Sequence, residues 1–437
     1  LGRSHFSSEQ MATANSAPED WQEELDSPVG STAWVYNALT HELTVRCTIE
    51  AADDGYGQWE DIESVIESAI VLDGVTAICN HLFENCVQLK SVRIPESVTF
   101  IGADAFGCCF RLKSIKIPKS VVAFGGNPFS GFSHPEAIDV SENPNFVFED
   151  GVLMDREMTQ IISFNSNLGT HSYTIPNTVT TISSCAFCCC CGLTAVAIPD
   201  SVVCIGQGAF ENCRELRSVA IPDSVKEVGD FAFYECWELA SVTIPGSAGV
   251  LGANLFEGCC QLTEIRVVGE TQNFKLVDGV LFDKDMTRLI WCPYEKSGSY
   301  EIPPTVKVID KYAFCFREGL TSIVIPNTIT EIAVDTFRGC CALESATIPN
   351  SVMFIGRNAF CDCTALTSLV IPDSVISIGR MAFNNCQSLT SIAIPRSVTS
   401  LGEKMFAGCT NLRAVSIPEG LKYAPDAFPP GAEISKH

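Results

Sequence analysis

Five cysteines crowd into seven residues of this 437-residue chain: Cys185, Cys188, Cys189, Cys190 and Cys191. A C-x-x-C pair is half of a zinc site, but zinc requires four converging ligands, and neither a histidine nor a second C-x-x-C lies nearby. Consecutive residues in a turn also point in different directions. The spacing therefore favours ordinary thiols, with no metal and no cofactor. The six histidines, His5, His41, His81, His134, His171 and His437, are scattered. They form no Ser/His/Asp, Cys/His or phosphate-loop arrangement, and no catalytic residue is expected.

The remaining cysteines have an order that chemistry does not explain. Cys86, Cys109, Cys190, Cys213, Cys236, Cys259, Cys340, Cys363, Cys386 and Cys409 keep one place in a recurring frame. That frame is clearest in Ile198 to Ile221: an Ile-Pro pair, Val202, Ile205-Gly206, Ala209-Phe210, Cys213, Leu216, Val219, and then the next Ile-Pro 23 residues on. The phenylalanine column runs through Phe83, Phe106, Phe129, Phe187, Phe210, Phe233, Phe256, Phe314, Phe337, Phe360, Phe383 and Phe406. A fixed period in the range of twenty to fifty residues is the signature of a solenoid, in which each coil buries the next. Both columns read as core, since free cysteine packs as a small hydrophobe.

Within one coil, Leu216, Val219 and Ile221 alternate with Ser218 and Ala220, the pattern of a strand with one buried face. Pro222 and Asp223-Ser224 turn the chain, and Gly229 supplies a bend through its freedom at positive φ. The Ala-Phe-x-x-Cys-x-x-Leu spacing is that of a short helical turn. The expected fold is an α/β repeat solenoid, a right-handed stack of 23-residue coils with a parallel sheet.

The repeated I-P-x-S-V-x-x-I-G-x-x-A-F-x-x-C-x-x-L-x-S-V-x-I-P pattern, undiluted at Ile198 to Ile221 and Ile371 to Ile394, resembles the BspA-type leucine-rich repeats. The resemblance covers about residues 71–428. It implies a curved right-handed solenoid with its parallel sheet on one face, and adhesion or interaction rather than catalysis.

The domain reading follows from the frame and its ends. Residues 1–32, polar, acidic and without apolar period, read as disordered. Residues 33–70, with Trp34-Val35-Tyr36 and Leu43, Val45 and Cys47, read as an N-terminal β cap over the first coil. The solenoid spans 71–428 and the tail 429–437, where Pro425, Pro429 and Pro430 should end the ladder. Two long repeats, 140–174 and 267–301, share Asp150-Gly151-Val152-Leu153 and Asp278-Gly279-Val280-Leu281. Asp-Gly between apolar runs signals a β-hairpin, here one projecting from each long repeat.

A net charge of −24, from 52 acids against 28 bases, argues against nucleic acid and against anionic membrane surfaces. No apolar run is long enough to span a bilayer. An odd cysteine total, with no pairing inside a coil, leans towards reduced thiols and an intracellular reducing compartment; a cell-surface or secreted location is the alternative.

Function is expected to be that of a non-catalytic protein-interaction scaffold with a protein partner, as a subunit of a larger assembly. The alternatives are a cell-surface adhesin and a glycan- or crystal-surface binder using the outward serines. Three sets of residues are candidates for contacting the partner. They are the basic pair Arg93 and Lys116, the aromatic group Phe231, Tyr234 and Trp237, and the hairpin turns Asp150-Gly151 and Asp278-Gly279.

Overall fold

The computed structural model of the protein describes residues 25–26, 34–47, 62–131, 138–165, 171–259, 261–269 and 273–437. Apart from Leu25–Asp26, the acidic segment 1–32 lies outside the described residues. The backbone divides into two units, residues 1–157 with 162–168 and residues 158–161 with 169–437. Both are wound from the same coil.

One coil of the second unit shows why the sequence winds as it does. Strand Ser218–Ala220 buries Val219 between two exposed residues, and it pairs in parallel with Ser241–Pro245 at a register of 23 residues. After the proline turn, in which the Val225 amide donates to the Pro222 carbonyl, a second short strand, Glu227–Val228, pairs in parallel with Val250–Leu251. Each coil therefore contributes to two parallel ladders rather than one. Gly229 is needed for a different reason from the one its type suggests. A Cβ there would sit 2.5 Å from the backbone nitrogen of Gln207, so the close approach of neighbouring coils excludes every other residue.

The third side of the coil is not helical. Among the described residues the only helical segment is the single 3-10 turn Glu63–Val65. In the segment expected to be a helical turn, Phe231 and Glu235 adopt left-handed φ of 57° and 54° on either side of Phe233. This lets alternate amides face the next coil. Those of Phe231, Phe233 and Glu235 donate to the carbonyls of Ala253, Leu255 and Glu257 at 3.0, 3.1 and 2.7 Å. A helical turn would direct these N–H groups along its own axis and leave the carbonyls of the adjacent coil unbonded. The architecture is thus a β-solenoid with parallel sheets and almost no helix, which corrects the α/β assignment.

The core lies inside these three ladders. Phe210 and Phe233 stack 5.5 Å apart at 1°, and Phe233 and Phe256 at 5.8 Å and 11°. The first unit repeats the arrangement, with Phe83 on Phe106 at 5.3 Å and 6°. There the strands Glu42–Val45, Ser68–Val71 and Ser91–Arg93 run parallel, and Trp34–Asn37 pairs antiparallel with the first of them. Trp34, Tyr36, Leu43 and Val45 are all buried.

Both long repeats contain the hairpin that Asp-Gly implies. Phe146–Glu149 pairs antiparallel with Val152–Asp155, and Phe274–Val277 with Val280–Asp283. The two turns superimpose in conformation: φ is 49° at Asp150 and Asp278, and 79° at Gly151 and Gly279. The hairpins do not stand free as projections, however. Val152, Leu153 and Met154 are buried, as are Val280, Leu281 and Phe282, because the second strand carries three consecutive apolar residues into the core. The carboxy-terminal end also departs from expectation. After its three prolines the chain returns as Glu433–Lys436, parallel to Ala414–Ile417, and Phe428 continues the ring stack on Phe406 at 5.6 Å. The prolines occupy the connection between strands, where no ladder donor is required.

Candidate functional site

The cysteines hold most of the chain's reactive chemistry. In the ladder, eight of the ten thiols donate to the carbonyl of the phenylalanine 26 residues earlier, among them Cys213 to Phe187, Cys236 to Phe210, Cys259 to Phe233 and Cys363 to Phe337, all four at 3.1 Å. Burial holds the thiols of Cys109, Cys213, Cys259 and Cys363 well above the usual thiol range, so they are protonated donors rather than nucleophiles. Replacing Cys236 with alanine should lower stability by about 1–2 kcal/mol, through an unsatisfied carbonyl and a small void, as read from the urea midpoint. In the native protein, a thiol reagent should label exposed Cys47, Cys191 and Cys341 first and reach the ladder only on denaturation.

The thiols of the Cys185–Cys191 cluster lie in different surroundings. Cys190 belongs to the ladder side and is buried, whereas Cys191 is exposed with its thiol 3.7 Å from the Asn212 carbonyl. Cys188 and Cys189 place their sulfurs 3.5 Å apart. Hydrogen bonding with Cys185 and Cys189, reinforced by burial, raises the Cys188 thiol far above its ordinary value. No three metal-ligating side chains converge among the described residues.

The basic pair is split by its surroundings. Arg93 and Lys116 are both exposed, but Lys116 forms an ion pair with Glu142 at 2.7 Å, which answers its charge locally. The aromatic group holds together better. Phe231 and Tyr234 are half-buried and meet edge to face at 5.9 Å. Trp237 is 45% exposed, with the Arg214 guanidinium 4.2 Å over its ring and its indole N–H donating to Glu235 at 3.2 Å. The hairpin turn residues Asp150 and Asp278 are exposed, while Gly279 lies close enough to Pro293 that a Cβ would approach its ring at 3.2 Å.

Two features of the second unit had no signal in the repeat frame. The first is a small notch beside the second long repeat, lined by Asn254, Glu257, Trp291 and Tyr312. Burial, then Asp335 and Glu235, push the Glu257 carboxyl up to about 9, against the opposing pull of a Tyr312 hydrogen bond and Arg338. Asn254 is buried, and its Oδ1 has no hydrogen-bond partner among the described residues. Nearby, Arg288 clamps the long repeat in place. It holds Asp310 through two bonds at 2.7 and 2.6 Å and donates to the Leu251 carbonyl at 3.2 Å.

The second feature is a break in the parallel sheet. The ladder that begins at Ser172–Thr174 ends at Glu264–Val268, and a separate one starts at Gly298–Glu301. Glu264–Val268 is therefore an edge strand. Phe274–Val277 is likewise the outer strand of its own sheet. Between them lies an open groove of about 650 Å³ lined by Ile265 to Val268 and by Lys275, Leu276 and Val277. Val268, Leu276 and Val277 beside the groove are 52%, 42% and 38% exposed.

Stacked parallel coils closed by phenylalanine and cysteine ladders define a repeat solenoid of the leucine-rich class. The chain belongs to the BspA type leucine rich repeat region family, whose model matches residues 62–162, 160–276, 294–363 and 330–429. Repeats of this class typically mediate protein interaction, and their proteins are generally non-catalytic scaffolds. Among solved structures, the chain is similar to the pneumococcal vaccine antigen PcpA, at 20% identity over 95% of this chain and 93% of that one, with a TM-score of 0.52. It is also similar to a leucine-rich repeat protein from Bacteroides ovatus, at 24% identity over 95% and 98% of the two chains and a TM-score of 0.39. No curated protein matches the sequence. No helix among the described residues is long and apolar enough to cross a membrane.

Proposed function

We propose that the protein is a non-catalytic interaction scaffold that binds a protein partner where its repeat lattice is interrupted. The observation that carries this reading is the contrast between the regular coils and the second long repeat. In the coils, the column phenylalanines and most ladder thiols and alternate amides bond or stack against neighbouring coils, and each strand has a parallel partner. At the long repeat, two strand edges and three large apolar side chains face solvent. The hairpin turns at Asp150-Gly151 and Asp278-Gly279, the aromatic group of Phe231, Tyr234 and Trp237, and the Arg93–Lys116 face serve as further contact points. The hairpin of Trp34–Asn37 and Glu42–Val45 shields the first coil.

Membership of a larger assembly, rather than binding of a single partner, belongs to the same reading. The fold shared with a vaccine antigen favours a second one, an adhesin displayed at a cell surface. Antibody labelling of intact against permeabilised cells separates the two. Photo-crosslinking residues placed at Arg93, Trp237, Asp278 and, as a control, Ser345 on a regular coil test the scaffold itself in the native source. Adducts with one recurring protein at one or more of the first three positions, and none at Ser345, are expected. Adducts at Ser345 alone, or at none of the four, would overturn the proposal.

A further inference from the structure

We infer that the groove beside the second long repeat receives an extended, proline-free segment of a partner protein whose acidic residues alternate with aliphatic ones. The inference rests on the scaffold reading and names what one of its surfaces recognises. Its basis is two strands at the ends of their sheets whose residues line one groove. Among the described residues, Glu264–Val268 pairs on one side, with Ser241–Pro245, and Phe274–Val277 pairs with Val280–Asp283 alone. Backbone groups on an open edge are a template for another strand, and addition of a peptide strand is an established mode of recognition. Here residues of a second such strand line the same groove.

The side chains specify what enters. Along Phe274–Val277, Lys275, Leu276 and Val277 are all exposed, and across the groove Arg266 and Val268 are exposed as well. Lys275 has no ion-pair partner among the described residues. Arg266 is paired through Nε with Glu264 on its own strand at 2.6 Å, an exposed contact that a better-placed carboxylate can replace. Two cations in one groove of a protein carrying a net charge of −24 favour acidic side chains in the guest. The valines and the leucine provide the apolar contacts for alternate guest residues, since side chains of an inserted strand point in turn to opposite faces. Proline is excluded because it removes the N–H that pairs with the edge.

The test uses the full chain and a random twelve-residue peptide library displayed on phage. Selection should enrich proline-free sequences in which Asp or Glu alternates with Val, Ile or Leu. A synthetic peptide of the enriched sequence should lose at least about tenfold in affinity against the Arg266→Glu, Lys275→Glu double variant, and as much again when alternate amides are N-methylated. Both substituted residues are exposed, so the double variant should keep the parent circular dichroism spectrum, which is recorded as the control. Absence of enrichment, or enriched peptides that bind the double variant unchanged or tolerate N-methylation, would overturn the inference. So would concentration-dependent self-association abolished by the same substitutions, which would make a second copy of this chain the occupant. Crosslinks at Trp237 or Arg93 with no peptide selected would leave the scaffold reading standing and remove the groove from it.

Discussion

Replacing Phe233 with alanine should lower the stability of the second unit by about 3–5 kcal/mol, among the largest losses available to a single substitution in this chain. The ring is fully buried and stacks on Phe210 at 5.5 Å and on Phe256 at 5.8 Å, so its removal opens a void that two neighbours border. Its own amide and carbonyl are already engaged with adjacent coils, which restricts how far the backbone can collapse into that void. In a stack of coils the loss falls on nearest-neighbour interfaces. Hydrogen exchange should therefore report the greatest loosening in the coils holding Phe210 and Phe256, and little near Phe383. Val370, 80% exposed, is the matched control, and its replacement by alanine should change stability by less than about 0.5 kcal/mol. A loss below about 1 kcal/mol for Phe233→Ala would show that the column is decoration rather than core.

The second large effect concerns pH. The Glu257 carboxyl titrates near 9 in the folded protein against an ordinary value of 4.5, because burial and the nearby Asp335 and Glu235 disfavour its charge. The folded state thus holds a proton that the unfolded chain has released. Stability must fall as pH rises through the window from about 4.5 to about 9, and it is unaffected by this group below that window. Glutamine imitates the neutral acid and removes the titration. The Glu257→Gln variant should match the parent near pH 4.5 and exceed it by more than about 2 kcal/mol at pH 8, measured by urea unfolding across the range. Parallel pH profiles for parent and variant would contradict the assignment. Tyr312, Tyr234, Asp335, Arg338 and Lys311 surround the group, and burial, first, holds both tyrosines protonated across this window.

Much of this was legible before any coordinates. The phenylalanine and cysteine columns announce a stacked core because only coil-on-coil burial satisfies residues that recur every 23 positions. Asp278-Gly279 announces a hairpin because both residues must adopt positive φ. What could not be read is equally physical. The third ladder depends on left-handed backbone at positions held by Phe231, Tyr312, Met381 and Lys404, whose types do not favour it; bonding between coils overrides their preference. The same override turns a helical spacing into strand-like pairing. Gly229 was legible as indispensable but not for its true reason, the nearness of Gln207.

The candidate site was less visible than the fold. The long repeats stood out by length, and their turn residues by type. Yet the groove arises because lengthening the repeat leaves two sheets unjoined, a consequence of chain path rather than of any residue. The Glu257 notch likewise assembles Glu257, Trp291 and Tyr312 across the long repeat, and no spacing rule links them. Of the residues singled out by type, Trp237 remains exposed beside its arginine, whereas Lys116 is paired with Glu142.

Hydrogen exchange of the purified chain, resolved to single amides, addresses the central claim most directly: the coils are closed by their ladders and the second long repeat is left open. The amides of Phe210, Phe233, Phe360 and Phe383, each bonded to the next coil at 2.8–3.1 Å, should be among the slowest to exchange. The groove-facing amides of Phe274–Val277 should exchange orders of magnitude faster. Fast exchange along the phenylalanine column, or protection of that outer strand in the isolated protein, would contradict the account.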